Sequence, residues 1–86
     1  MTAVTIYTKS TCPFCIRAKG LLHELHINFK EISIDDNPSL REEMIDKSKR
    51  TTVPQIFIDD VSVGGCDDLF ALHASGKLAE MVKHLL

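Results

Sequence analysis

Two cysteines stand three residues apart in Cys12-Pro13-Phe14-Cys15. They follow a β-branched segment and open an apolar-periodic one, so they sit where a strand turns into a helix. The first backbone N–H groups of a helix lack internal partners, and its dipole places partial positive charge there. A thiolate at that point is stabilised, and Lys9 adds positive charge nearby. Cys12 is therefore the expected thiolate. Cys15, one turn further and more buried, is expected to keep its proton longer. Residues at i and i+3 of a helix are neighbours, so the two sulfurs can reach the separation a disulfide requires. Cys12 can attack a disulfide, and Cys15 can attack the mixed disulfide that results.

The competing reading of such a pair is half a zinc site, which needs two further ligands. Cys66 and the histidines His23, His26, His73 and His84 are the available candidates. His23 and His26 fall near the far end of the first helix, and His73 and His84 stand apart. No metal site is expected, and each histidine reads as a solvated surface residue.

The elements that must hold this pair follow from periodicity. Ala3 to Tyr7 is β-branched and alternating, a strand. Phe14, Ala18, Leu21, Leu22 and Leu25 share one face of a helix, with Pro13 in its first turn. Phe29 to Ile34 alternates again. Asn37-Pro38 has the form of an N-cap followed by proline at N1. The helix that follows runs through Leu40, Met44 and Ile45 and ends near Lys47-Ser48-Lys49. Gln55 to Ile58 and Val61 to Val63 are strands joined by a tight Asp59-Asp60 turn. After Gly64-Gly65, Asp67 to Ser75 is helical, with Gly76 as its C′ residue. Leu78, Met81, Val82 and Leu85 carry a last short helix. The order is β-α-β-α-β-β-α plus that helix. The first two strands, joined through a helix, should be parallel with a right-handed crossover. The fold class is α/β: a four-stranded mixed sheet flanked by helices.

The chain has 86 residues, 44% of them apolar and 26% charged. That suits one domain, 1–86, and excludes a disordered chain. The formal charge of −2 excludes a general polycation for nucleic acid. No apolar run is long enough to span a membrane. The start, Met1 to Ile6, lacks the basic and apolar stretches of a secretory signal. Three cysteines make a poor disulfide scaffold. The expected location is a reducing cytoplasm, where a C-x-x-C pair serves redox chemistry.

Three separated motifs then agree: Cys12-Pro13-Phe14-Cys15, Thr52-Val53-Pro54 before the third strand, and Gly64-Gly65-Cys66-Asp67-Asp68 after the fourth. With these, the sequence resembles a glutaredoxin over essentially its whole length, specifically the small bacterial-type dithiol members. The resemblance implies a thioredoxin fold, with glutathione as reductant and co-substrate. It implies that Val53-Pro54 is cis and presents the Val53 backbone beside Cys12, to pair with the cysteine of glutathione. It places the γ-glutamyl carboxylate on the N–H groups of Cys66 and Asp67, and the ammonium on Asp68 with Asp67 nearby. The glycyl carboxylate is assigned to Lys9 first and Arg41 next, with Lys49 and Arg50 contributing long-range steering. Thr52, Val53, Pro54 and Phe14 line the ligand. Phe14 stands where tyrosine is usual, so the ring packs without a hydroxyl. Cys66 is expected to be a small buried residue beside the tripeptide.

The resemblance implies an enzyme that reduces protein disulfides and glutathione mixed disulfides, acting as a monomer. Its partners are glutathione and disulfide-containing or glutathionylated proteins, with ribonucleotide reductase typical of the family. Two other readings stand beside it. One is a module binding a [2Fe–2S] cluster through the first thiolate and glutathione, which Pro13 disfavours. The other is a thioredoxin-like protein reduced by a flavoenzyme. The thioredoxin active site carries tryptophan, which this chain lacks.

Overall fold

The computed structural model describes residues 4–83. Expectations at Ala3, His84 and Leu85 lie outside the described residues. Four strands, β1 (Val4–Thr8), β2 (Lys30–Ser33), β3 (Gln55–Ile58) and β4 (Val61–Gly64), form one sheet in the order β2-β1-β3-β4. The helices are α1 (Pro13–Glu24), α2 (Pro38–Ser48), α3 (Cys66–Ala74) and α4 (Lys77–Val82). β1 pairs parallel with β2 and antiparallel with β3, and β3 pairs antiparallel with β4. The sheet is thus mixed, as expected from one crossover followed by one hairpin. Asp59 and Asp60 make the hairpin turn with φ of 51° and 66°, the left-handed pair that matches strand twist.

β1 and β3 are central and covered on both faces, which is why their residues are buried almost without alternation. On one face Val4, Ile6, Ile56 and Ile58 pack against Ala18, Leu21 and Leu22 of α1, Leu69 of α3, and Leu78 and Val82 of α4. On the other face Tyr7 and Phe57 pack with Ile34 and with Met44 of α2. The Tyr7 and Phe57 rings meet edge to face, with centroids 5.7 Å apart. Two such layers clamp β1, whose last residue leads into the cysteine pair.

The helix ends follow side-chain chemistry. Asn37 Oδ1 accepts the Leu40 N–H at 3.2 Å and starts α2, and Lys49 ends it at φ 63°. α3 begins at Cys66, one residue before the sequence reading, because Gly65 serves as its N-cap. One expectation is corrected. Phe14 belongs by spacing to the apolar stripe of α1, yet it is 51% exposed, and Cys15 takes the buried first-turn position. Cys15, Ala18 and Leu22 run down the face toward the sheet, whereas Phe14 falls on the edge of the stripe and lines a cleft.

Candidate active site

The turn from β1 into α1 delivers Cys12. Its N–H donates to the Lys9 carbonyl at 3.3 Å, and its own carbonyl accepts the Ile16 N–H. Cys12 is the N-cap of α1, with extended backbone, and its Sγ accepts the Cys15 N–H at 3.2 Å. A sulfur in this place takes one of the donors the helix cannot satisfy. As a thiol, Cys12 also donates toward the Val53 carbonyl at 3.6 Å. The Val53–Pro54 peptide is cis.

The two thiols differ in environment. Cys12 is half-buried, whereas Cys15 is 1% exposed. Burial, chiefly, pushes the Cys15 thiol up to about 12, and its interactions with Cys12 act in the same direction. The Lys9 backbone N–H and the Lys19 charge act the other way. One sulfur is therefore reachable and held by a backbone donor, and its neighbour is sequestered and protonated. All three cysteines are free thiols.

A cleft of about 310 Å³ adjoins the pair, and Phe14, Thr52, Val53, Pro54, Cys66, Asp67 and Asp68 all line it. The loop before β3 and the start of α3 thus meet, although they lie apart in sequence. Lys9 and Arg41 are brought together elsewhere, in a separate groove of about 230 Å³ with Ile34 and Pro38. A larger cavity of about 580 Å³, lined by Tyr7, Lys30, Glu43 and Lys47 among others, shares no lining residue with that cleft.

Arg50, assigned only long-range steering by sequence, lines the cleft itself. Its Nη1 donates to Asp68 Oδ2 at 2.9 Å, and the same oxygen accepts the Gly65 N–H at 2.9 Å. The Gly65 N–H first, and Arg50 second, hold the Asp68 carboxyl below the usual range. Its position two residues before Thr52 was the available signal. Gln55 carries no motif that marks it in the sequence. It is fully buried, and its Nε2 donates to the Thr52 carbonyl at 2.9 Å and to Thr52 Oγ1 at 3.2 Å, fixing the loop from below. Its Oε1 is buried without a hydrogen-bond partner among the described residues.

The glycine pair has a steric reason. Gly64 has φ +102°, and a Cβ there would lie 2.2 Å from Asp68 Oδ2. At Gly65 a Cβ would come within 3.3 Å of the Pro54 carbonyl, the wall of the cleft. Cys66 is buried, which raises its thiol, with Arg17 opposing. The Arg17 guanidinium lies 5.3 Å from the Phe70 ring centroid and 6.0 Å from that of Phe14, linking α1 to α3. Among the described residues no three His, Cys, Asp or Glu side chains gather as metal ligands. No described helix is long and apolar enough to cross a membrane.

The fold and the cysteine pair define a thioredoxin-fold thiol–disulfide oxidoreductase. The glutaredoxin family model matches residues 4–63. Glutaredoxin 3 of Escherichia coli K12 is 58% identical over 83 residues, covering 96% of this chain and 100% of that protein. The solution structure of a glutaredoxin from Brucella melitensis superposes with a TM-score of 0.84 at 52% identity, covering 96% of this chain and 90% of that one. A buckwheat glutaredoxin–glutathione complex superposes with a TM-score of 0.88 at 27% identity, covering 96% and 78%. The chain belongs to the glutaredoxin family.

Proposed function

We propose that this protein uses glutathione to reduce protein disulfides and protein–glutathione mixed disulfides, with Cys12 as nucleophile and Cys15 as resolving thiol. The observation that carries the reading is Cys12 Sγ held between the Cys15 N–H and the Val53 carbonyl, beside a cleft that ends at the α3 N-terminus. The Cys12 thiolate attacks the glutathione sulfur of a mixed disulfide. A Cys12–glutathione bond forms, and the target thiolate leaves and takes a proton. A second glutathione thiolate attacks that sulfur, releases glutathione disulfide and restores Cys12. With a protein disulfide, Cys15 attacks Cys12 instead, the target leaves reduced, and Cys12–Cys15 is oxidised until glutathione reduces it.

The chain's polar groups suit a tripeptide of this kind. The Val53 backbone faces Cys12 and offers strand-like pairing to the ligand's cysteine. The first-turn N–H groups of Cys66 and Asp67 suit a carboxylate, and Asp68 offers an ionised acceptor for the ammonium. Arg50 already occupies that acceptor, so ammonium and guanidinium share it. Lys9 and Arg41, paired in their own groove, serve the glycyl carboxylate. Phe14, Thr52 and Pro54 supply contact area. The partners are glutathione and proteins carrying disulfides or glutathionyl groups.

Single-cysteine variants test this. Cys12→Ser abolishes turnover of both a glutathione mixed disulfide and a protein disulfide. Cys15→Ser keeps the first activity and loses the second. Full activity without Cys12, or an unchanged rate when glutathione is replaced by a flavoenzyme reductase, refutes the reading.

A further inference from the structure

A buried resolving thiol poses a chemical difficulty. To close the Cys12–Cys15 bond, Cys15 must release its proton, and burial opposes the anion. Cys15 lies under the mouth of the site, where solvent screens little, so nearby fixed charge acts strongly.

Three elements converge on that side of α1. Lys19 stands four residues after Cys15, on the same helical face. Its side chain is 29% exposed, and its Nζ lies 3.0 Å from Glu31 Oε2 on β2. The same oxygen accepts a hydrogen bond of 2.6 Å from Oγ1 of Thr8, the buried last residue of β1. The next residue, Lys9, begins the turn into α1, and its carbonyl accepts the Cys12 N–H at 3.3 Å. Thr8 hence draws the Glu31 carboxyl down, and Lys19 adds to the effect. Glu31 remains ionised at neutral pH and anchors an ammonium that would otherwise swing free in solvent. The charged and titratable groups acting on Cys15 are Cys12, Lys9 through its backbone, and Lys19. His23 acts on Glu31 in the same direction as Lys19.

We propose that Lys19, tethered by Glu31 and Thr8, is a positioning residue for the resolving step, its ammonium favouring the Cys15 anion that displaces the substrate thiol. This rests on the resolving role of Cys15 and leaves the first attack by Cys12 untouched. In the step itself, the Cys15 proton passes to water and its thiolate attacks Cys12 Sγ. The Cys12–Cys15 bond forms as the bond from Cys12 to the substrate sulfur breaks. The departing sulfur carries away the electron pair and takes a proton. The protein's two thiols lose two electrons and the substrate disulfide gains them.

The probe is 5,5′-dithiobis(2-nitrobenzoate), mixed rapidly with fully reduced protein. The first coloured thiolate reports attack by Cys12, and the second reports its displacement by Cys15. Lys19→Met keeps the aliphatic stem and removes the charge. It slows the second phase by about three- to tenfold, the upper figure equivalent to one unit in thiol ionisation. Its first phase stays within about twofold of wild type, since Cys12 reaches solvent, which screens the charge, whereas Cys15 does not. Lys19→Arg restores the second phase. A Lys19→Met second phase at the wild-type rate, equal slowing of both phases, or Lys19→Arg as slow as Lys19→Met overturns the inference. Cys15→Ser separates this from the reading beneath it: a second phase surviving there shows that Cys15 is not the resolving thiol.

Discussion

Gly64→Ala tests whether the cleft depends on the backbone that separates β4 from α3. Gly64 has φ +102°, where an L side chain costs about 1–2 kcal/mol. The added Cβ would lie 2.2 Å from Asp68 Oδ2, 2.7 Å from Cγ and 2.9 Å from Cβ, so the whole short side chain must move. Moving it releases the 2.9 Å bond to the Gly65 N–H, worth about 1 kcal/mol at a half-exposed site. The sum is about 2–3 kcal/mol. For a domain of this size that lowers the melting temperature by about 10–20 °C. Gly20→Ala is the internal control. Gly20 lies within α1, and a Cβ there meets nothing within 4 Å. The same chemical change then stabilises by about 0.5–1 kcal/mol, because alanine loses less backbone freedom in a helix. Calorimetric melting of the reduced proteins reads both signs. A Gly64→Ala protein melting with wild type, or a Gly20→Ala protein melting below it, refutes the steric and conformational account.

Asp68→Asn removes the charge that faces the cleft while keeping the side chain's size. It raises KM for a glutathione mixed disulfide by roughly tenfold, equivalent to about 1.4 kcal/mol, with kcat less affected; an unchanged KM removes Asp68 from the ligand's contacts. Tyr7 is the sequence's one tyrosine and donates to Glu43 Oε2 at 2.5 Å. Tyr7→Phe costs about 1 kcal/mol, read by thermal melting, because Glu43 remains solvated when released. Burial first, and Glu43 second, raise the Tyr7 hydroxyl above its ordinary value of 10.0. A raised folded value means the associated stability is complete below pH 10 and declines as pH rises toward the folded value. The alkaline loss of stability in wild type should therefore weaken in Tyr7→Phe, and identical profiles would contradict the assignment.

Much of the fold was legible because local chemistry and periodicity agreed. Asn37-Pro38 caps α2, the Asp59-Asp60 turn joins β3 to β4, and the alternating first segment is a strand. The cysteine pair also lies where helix capping predicts. Other features depend on contacts between distant segments, which no window along the chain contains. Arg50 meets Asp68 across eighteen residues, and Glu31 meets Thr8 across twenty-three. The exposure of Phe14 depends on which edge of the apolar stripe borders the cleft, and helical spacing alone does not decide that. Gln55 reads as an ordinary polar strand residue until the loop folds back over it. Lys9 and Arg41 share a groove because the β1–α1 turn lies against the start of α2.

The strand order β2-β1-β3-β4 leaves two borders of the sheet open to other molecules. β2 presents Lys30 and Glu31, charges that a second chain would have to strip of water to pair there. β4 is apolar at Val61, but it is only four residues long, its register with β3 breaks at Ile56/Phe57, and left-handed Gly64 ends it. Neither border offers a long, regular ladder for copies of the protein to add to. Short, charged or irregular borders of this kind keep copies of the chain from stacking edge to edge into cross-β aggregates.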